Sequence, residues 1–566
     1  MTATRPDPIE TPDTAFFWAG AARGELLGLA CADCGDLQHP PRPMCPRCFS
    51  TRREERKLSG RGRVLTWIFP RHPAPIGFAE PPIVALIDLE EGIRLVSNLV
   101  DVAAEAITAG MAVQVSFAPT VGGKVVPVFR PAARAGAARA ERSALVERPR
   151  PAQRAAGERS SEWAERSAHA ERPDPAQRAA GERSRSTAIA GIGQTEFSKN
   201  SGRSELQLAA EAVKAACDDA GIAPAEIDGL ITFTLDPSDE IGLIRCLGIE
   251  DLAFTTRIPG GGAASVATIH QASAAVASGA AEVVVCWRAM NERSQYRFGQ
   301  PQAGGMFAPG SGTSSLLWCM PFGAQTPGSW AALRSRPYLD AFGVTNRDLG
   351  RLSVVQRAYA AKNPAAWFYQ KPITLEEHQA SRWVVEPVLR LLDCCQESDG
   401  GVALVVTTLE RARRLRQPPA RIVASAQSIP FNAEVISNYY DGDLTMMPEA
   451  VGTAKRLWQR SGLGPGQIQA AMLYDAFTPQ VLMQLEAFGF CGRGEAKDFI
   501  AAGEIELGGR LPVNTHGGLL GEAYIHGMNS IAEGVRQVRG SSVSQARDVE
   551  HVLVSCAMAG AILGRV

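Results

Sequence analysis

The 566-residue chain lacks any uninterrupted apolar run of about 18 residues, so no membrane-spanning helix is expected. It also lacks an excess of either charge: 58 Lys and Arg stand against 59 Asp and Glu, a net charge of −1. That balance leaves no chain-wide field for a polyanion, and nucleic acid is not expected as a main partner. The stretch Met1 to Thr14 is polar and proline-rich, without the apolar segment of a secretory signal. Disulfide staples are not needed at this length. The 12 cysteines include the adjacent Cys394 and Cys395 and many isolated thiols, a usage expected of a reducing, cytoplasmic setting.

What is present falls into three regions. Residues 1–131 open with an amphipathic stretch, Phe16-Phe17-Trp18 through Leu26-Leu27, expected to be one helix. Cys31-Ala-Asp-Cys34 and Cys45-Pro-Arg-Cys48 follow, separated by ten residues. Two such knuckles present four thiolates from two tight turns, the donor set of a tetrahedral zinc ion. All four positions are sulfur, so no open coordination position is evident and the metal is expected to be structural. The short runs Gly62–Trp67, Ile83–Asp88 and Val113–Phe117, punctuated by glycine and proline, have the rhythm of a small β-barrel.

Residues 132–186 hold 16 alanines, 12 arginines and 8 acidic residues, with only Leu145, Val146 and Trp163 as large apolar groups. Such a segment cannot bury enough surface to offset its ordering entropy and reads as a disordered linker. It repeats itself, Glu147–Ser160 recurring at Glu171–Ser184 with one change. A basic arm for RNA or another partner is the other reading of its surplus of arginine.

Residues 187–566 alternate strand and helix signals. Ala188–Gly193, Gly229–Phe233, Glu282–Trp287, Gly401–Val406, Ala470–Tyr474 and His551–Cys556 read as buried strands. Ser204 with Gln207 three residues on marks a helix start, and Gly221 its end. The glycine loop Pro259-Gly-Gly-Gly262 leads into a small-residue helix ending near Gly279. No phosphate-binding lysine or dinucleotide spacing follows that loop. About 380 residues is long for one core, so two α/β halves are expected, divided at 187–408 and 409–566.

The first region resembles the zinc-ribbon/OB-fold family of acyl-CoA-associated accessory proteins. The resemblance rests on Phe16-Phe-Trp18, Cys31-Ala-Asp-Cys-Gly35, His39-Pro-Pro-Arg-Pro-Met-Cys-Pro-Arg-Cys48, Ser59-Gly-Arg-Gly62 and Val128-Phe-Arg-Pro131. It implies a domain that assists a thiolase-like partner, here on the same chain. The third region resembles the thiolase superfamily in its lipid-transfer-protein branch. The matching segments are Ile192–Phe197, Leu391–Cys395 with Ser398-Asp-Gly400, Tyr474-Asp-Ala-Phe477, and Asn514-Thr-His-Gly-Gly518 followed by Tyr524-Ile-His-Gly527. This implies an α/β thiolase-like fold of two similar βαβ-rich halves, and a homodimer through that region.

The departures from the thiolase pattern carry the functional expectation. The nucleophilic cysteine of thiolases lies 17 residues before a glycine near the end of its helix; counting back from Gly279 reaches Gly262, which has no side chain. The histidine expected six residues after Gly518 is Tyr524, and the first place of the Tyr474–Phe477 motif is also tyrosine. This double replacement resembles the steroid side-chain aldolases of the branch, in which two such tyrosines are the proposed acid and base. Retro-aldol cleavage of a β-hydroxyacyl thioester needs no covalent intermediate, only a base, oxyanion donors and an acid.

The resemblance therefore implies an acyl-CoA-dependent aldolase. It would cleave a bulky, steroid-type β-hydroxyacyl-CoA to a ketone and propionyl-CoA or acetyl-CoA. Tyr474 and Tyr524 are the expected catalytic pair. Cys556, at the place of the second thiolase cysteine, is a further candidate; its other reading is a buried small hydrophobe. Gly262, His516 and His526 are placed as oxyanion or supporting groups. Ser265 is the substitute nucleophile to be weighed. Cys394, Cys395 and His270 are expected to be structural. A β-ketoacyl-CoA thiolase using another cysteine, and a non-catalytic lipid or acyl-CoA carrier, are the alternatives.

Overall fold

The structure, a computed structural model, describes residues 5–132, 186–301, 317–430, 440 and 442–566. The Ala/Arg-rich segment and its repeat lie outside the described residues.

The first unit begins with helix α1 (Ala15–Ala22), shorter than expected. Gly24 takes a left-handed φ of 75°, and Leu27 is already paired across to Lys57, so the apolar run divides into a helix and a strand. Strands β1 (Leu27–Cys31), β2 (Leu37–Gln38) and β3 (Arg53–Lys57) form a small antiparallel sheet carrying the cysteine knuckles. Strands β4 (Arg61–Pro70), β5 (Ile83–Leu89), β6 (Arg94–Leu99), β7 (Ala112–Pro119) and β8 (Val125–Pro131) run in the order β4-β5-β6-β8-β7. Pairing of β4 with β7 closes the barrel, and β6 lies parallel to β8, the OB arrangement.

The large region is built on a nine-stranded sheet. Its strands are β9 (Thr187–Gln194), β10 (Gly229–Phe233), β11 (Phe254–Ile258), β12 (Val283–Asn291), β15 (Asp399–Thr408), β16 (Ala420–Gln427), β17 (Ala470–Leu473), β18 (His551–Ser555) and β19 (Ala559–Gly564). The order is β11-β10-β12-β15-β9-β16-β19-β18-β17. Two similar halves meet where β9 pairs with β16. From that junction each half reads outward as first, last, penultimate and second strand. The second half has, in place of a counterpart to β11, a single parallel bridge between Ala471 and Val513.

Helices α2 (Glu205–Ala220), α3 (Ser265–Ser278), α5 (Pro448–Ser461) and α6 (Met528–Arg539) pack on this sheet, whereas α4 (Pro327–Phe342) packs on strand β4 of the barrel. Ser204 caps α2 by accepting from the Gln207 amide, and Gly221 ends it in the left-handed region, as the sequence indicates. The matched helices α3 and α6, one per half, share one apolar cluster with Val284, Leu404 and Val554. Their N-termini converge: a Cβ on Gly527, which precedes α6, would lie 3.0 Å from the Ser265 hydroxyl that opens α3.

The two regions share a core. Strands β13 (Trp383–Glu386) and β14 (Leu389–Arg390), from the large region, extend the barrel sheet through pairing of Val385 with Pro70 and Glu386 with Phe69. Trp18 stacks on Trp318 at 5.2 Å, with Phe17 and His39 edge-on to the same ring at 4.9 and 4.5 Å. Arg336 of α4 lies 3.9 Å over the Trp67 ring.

Candidate active site

The site lies where strands β11, β17 and β18 end. In open α/β sheets the carboxyl ends of parallel strands are where loops leave space for a ligand. Strand β11 delivers the loop Pro259–Gly262, β17 delivers Tyr474 and β18 delivers Cys556.

Tyr474 is fixed by its backbone: its amide donates to Ser555 O at 2.9 Å, and its carbonyl accepts from Gln484 Nε2 at 2.8 Å. Its ring lies over Gly262. A Cβ there would come 2.6 Å from Tyr474 Cε2 and closer still to Cζ and Oη. Tyr524 follows the Asn514–Gly518 turn; its amide donates to Ser398 Oγ at 3.2 Å. The two phenolic oxygens are 2.9 Å apart, hydrogen-bond distance. Both side chains are half-buried.

Burial drives both phenols well above their ordinary value of 10; beside Tyr474 the next cause is Cys395, and beside Tyr524 it is Tyr474 itself. The pair is therefore neutral near pH 7, each hydroxyl able to donate and accept.

Cys556 is buried, with its thiol 2.8 Å from Ala263 O, and burial raises its pKa. It is held as a thiol beneath the glycine loop. Ser265 is buried at the head of α3, against Gly527. His526 packs edge-on to Tyr524 at 5.0 Å and accepts at Nδ1 from Arg288 Nε at 3.1 Å. Burial first, then Arg288, holds its pKa well below 6.5. His516 stands elsewhere: Nε2 is 3.3 Å from Ser530 Oγ and 3.9 Å from Glu522, and the residue lines a separate cavity with Asn363, Glu533 and Arg536. Cys395 donates its amide to Ala476 O, and the Cys394 thiol faces Arg390 O at 3.4 Å. His270 shares a hydrogen bond of 2.9 Å with Ser425.

Two groups escape the sequence reading. Arg288 follows Trp287 in an otherwise apolar strand, and a charge in such a run was the available signal. Glu292 is buried just beyond the same strand, among charges from Glu397, Arg288 and Lys199. Burial, then Glu397, raises its carboxyl well above the usual range. No spacing marks it in the sequence.

In the first unit, Cys31 Sγ lies 3.5 Å from Cys48 Sγ, and Cys34 Sγ lies 3.6 Å from those of Cys45 and Cys48. A tetrahedron of sulfurs about 2.3 Å from zinc has edges of about 3.8 Å, so the four thiols fit one ion. Gly35 and Phe49 each follow a knuckle in the left-handed region, and their amides turn back to Cys31 O and Cys45 O. The four cysteines form a metal-binding arrangement.

The fold and this site define a member of the thiolase superfamily in which a phenol from the second half lies over Gly262. Residues 435–564 match the thiolase C-terminal domain-like family, 55–118 the ChsH2 C-terminal OB-fold domain and 18–53 the ChsH2 rubredoxin-like zinc ribbon domain. A steroid side-chain-cleaving aldolase of Thermomonospora curvata is 57% identical over 383 residues, covering 67% of this chain and 98% of that protein. A 17-hydroxy-3-oxo-4-pregnene-20-carboxyl-CoA lyase of Mycobacterium tuberculosis is 54% identical over 381 residues, again 67% and 98%. A solved structure described as an Ltp2-ChsH2(DUF35) aldolase superposes with a TM-score of 0.64 at 56% identity, covering 67% of this chain and 98% of that one. The chain belongs to the steroid side-chain-cleaving aldolase family.

Proposed function

We propose that the protein is a carbon–carbon lyase that cleaves a steroid-type β-hydroxyacyl-CoA by retro-aldol chemistry, giving a ketone and propionyl-CoA or acetyl-CoA. The observation that carries this is the phenol pair at 2.9 Å, with one ring seated over a glycine where a thiolase needs its cysteine. The substrate class is supported by the two relatives, described as acting on steroid side chains and on a pregnene-carboxyl-CoA.

The proton balance follows from neutral phenols. One tyrosine accepts the β-hydroxyl proton while passing its own proton to the other. In one concerted step the O–H electron pair becomes the carbonyl, the second phenol delivers its own proton to Cα, and the Cα–Cβ pair becomes the new Cα–H bond, with enolate character developing only in the transition state. The pair ends as neutral as it began, so the cost of ionising a buried phenol is avoided. Gly262 leaves room for the Tyr474 ring, and His526 supplies a donor for the developing enolate oxygen. His516, hydrogen-bonded to Ser530, supports the turn that carries Tyr524. Cys556 acts by holding the glycine loop through Ala263.

The four cysteines hold a structural zinc ion, which ties two knuckles and supplies folding energy to the small sheet. CoA enters as part of the substrate. The chain joins in one polypeptide what the described Ltp2-ChsH2(DUF35) aldolase names as two parts. Residues 1–131 act as the accessory unit, 132–186 as the tether, and 187–408 with 409–566 as the catalytic halves, paired as a homodimer. Four zinc-ligating cysteines and eight others, none of them in a disulfide among the described residues, favour a cytoplasmic setting.

The test is incubation with a tertiary β-hydroxyacyl-CoA panel without added CoA, followed by mass analysis. Equimolar ketone and shortened acyl-CoA are expected. Consumption of free CoA per turnover would overturn the reading in favour of thiolysis.

A further inference from the structure

His526 and Arg288 are 238 residues apart in sequence and in contact in the structure. A guanidinium has donors only, so its 3.1 Å bond from Nε to Nδ1 uses the lone pair of that nitrogen. A neutral imidazole then carries its one proton on Nε2. The guanidinium is itself anchored: NH1 lies 3.1 Å from Asp236 Oδ2 and 3.2 Å from Ala289 O. Asp236 in turn accepts from the Ala289 amide at 2.9 Å through Oδ2, and from Ser238 through Oδ1. Asp236, Arg288 and His526 are each exposed by no more than 3%. A buried charge pair of this kind is costly unless hydrogen-bonded, and here Nε, NH1 and both carboxylate oxygens have partners.

The far edge of the ring is turned to the reacting region. A Cβ on Gly261 would lie 3.7 Å from Cε1 and 3.8 Å from Nε2, so this edge faces the glycine loop beside Gly262. His526 itself has a left-handed φ of 51°, uncommon for a non-glycine residue, which sets the direction of the ring. The titratable groups against it are Arg288 on one edge and Tyr524 in a T-shaped contact, with Asp236 behind the guanidinium. Phe233 and Phe298 complete the apolar surround.

We infer that Arg288 is a positioning residue that fixes His526 as its Nε2–H tautomer, so that a neutral imidazole donates to the thioester oxygen as the enolate forms. This rests on the aldolase reading of the same site and adds to it the identity and protonation state of the oxyanion donor. Neutrality matters chemically. A neutral donor stabilises the enolate without surrendering a full proton to it, so that Cα remains the atom protonated. The adjacent guanidinium disfavours a second proton on the ring, which keeps the donor in that state.

The test uses the full chain labelled with 15N-histidine, the His526 signals being assigned by their loss in His526→Asn. A pyridine-type Nδ1 and a pyrrole-type Nε2 are expected in the parent near neutral pH. Arg288→Met is expected to mix the tautomers and to lower kcat roughly 10²-fold, with KM for the acyl-CoA within about twofold of the parent. Arg288→Lys, which keeps a donor, is expected to restore the tautomer and part of the rate. A protonated Nδ1 in the parent overturns the inference, as does parental kcat in Arg288→Met. Should that variant fail to fold, the parent spectrum and Arg288→Lys decide. Failure of the aldolase reading itself would show separately, as CoA consumption or unimpaired tyrosine variants.

Discussion

Tyr474 occupies the space above Gly262: a single methyl group at 262 would meet the phenol ring at 2.6 Å or less. The two positions are 212 residues apart and come from opposite halves of the fold. The Tyr474 ring can therefore take this place only while residue 262 has no side chain.

Gly262→Ala is accordingly expected to displace the Tyr474 ring and open the 2.9 Å contact with Tyr524. A loss of roughly 10²-fold or more in kcat is the expected size, on the scale of one acid–base group. Gly262→Cys should lose activity likewise and gain no thiolysis. Steady-state kinetics with and without free CoA decides; a cysteine variant that consumes CoA would mean that the scaffold still holds a working thiolase site.

The pH dependence of kcat should be broad. Both phenols lie well above 10, and burial with Arg288 holds His526 well below 6.5. None of these three groups changes charge between those limits, so the relay itself should give a flat profile from below pH 6.5 to above pH 9, with the ionisation of Asp475, raised by burial to about 7, as a shallow step superimposed on it. A reaction needing a free phenolate would instead rise about tenfold per pH unit through neutrality. A profile with that slope contradicts the neutral relay.

Removal of metal should disturb more than the ribbon. His39 lies between the two knuckles and packs on Trp318, which also stacks on Trp18. Chelation is expected to change tryptophan fluorescence and lower Tm, and Cys45→Ser to do the same with less than one zinc per chain by elemental analysis. A Tm unchanged after verified metal loss would contradict the structural assignment.

The shared core between the units makes a related expectation. Trp318 is 3% exposed and anchors Phe17, Trp18 and His39. Trp318→Ala should cost about 3–5 kcal/mol in denaturant unfolding. A cost below about 1 kcal/mol would mean the units are held by the β4–β13 pairing and their ion pairs alone.

Local signals carried much of this in the sequence. The knuckles, the Ser204 cap, the Gly221 stop and the buried strand runs depend on neighbours within a few residues, and each forms as expected. The phenol pair was legible only through its resemblance to a family, since a tyrosine at a strand end has no chemistry by itself. Contacts between distant segments left no such trace. The β4–β13 pairing joins residues more than 300 apart, and the Arg288–His526 bond crosses the two halves. The opening helix ran long in the sequence reading because its apolar spacing continues into β1. The left-handed Gly24 and the pairing of Leu27 with Lys57 decide that the run changes structure there.

The most direct measurement is turnover by Tyr474→Phe and Tyr524→Phe, with acyl-CoA binding measured beside it by calorimetry. Each substitution removes one oxygen from the relay and leaves the ring in place. Loss of 10²- to 10⁴-fold in kcat with Kd within a few-fold of the parent is expected for both. Near-parental turnover by either variant, with Cys556→Ala inactive, would show that the thiol and not the phenol pair moves the proton.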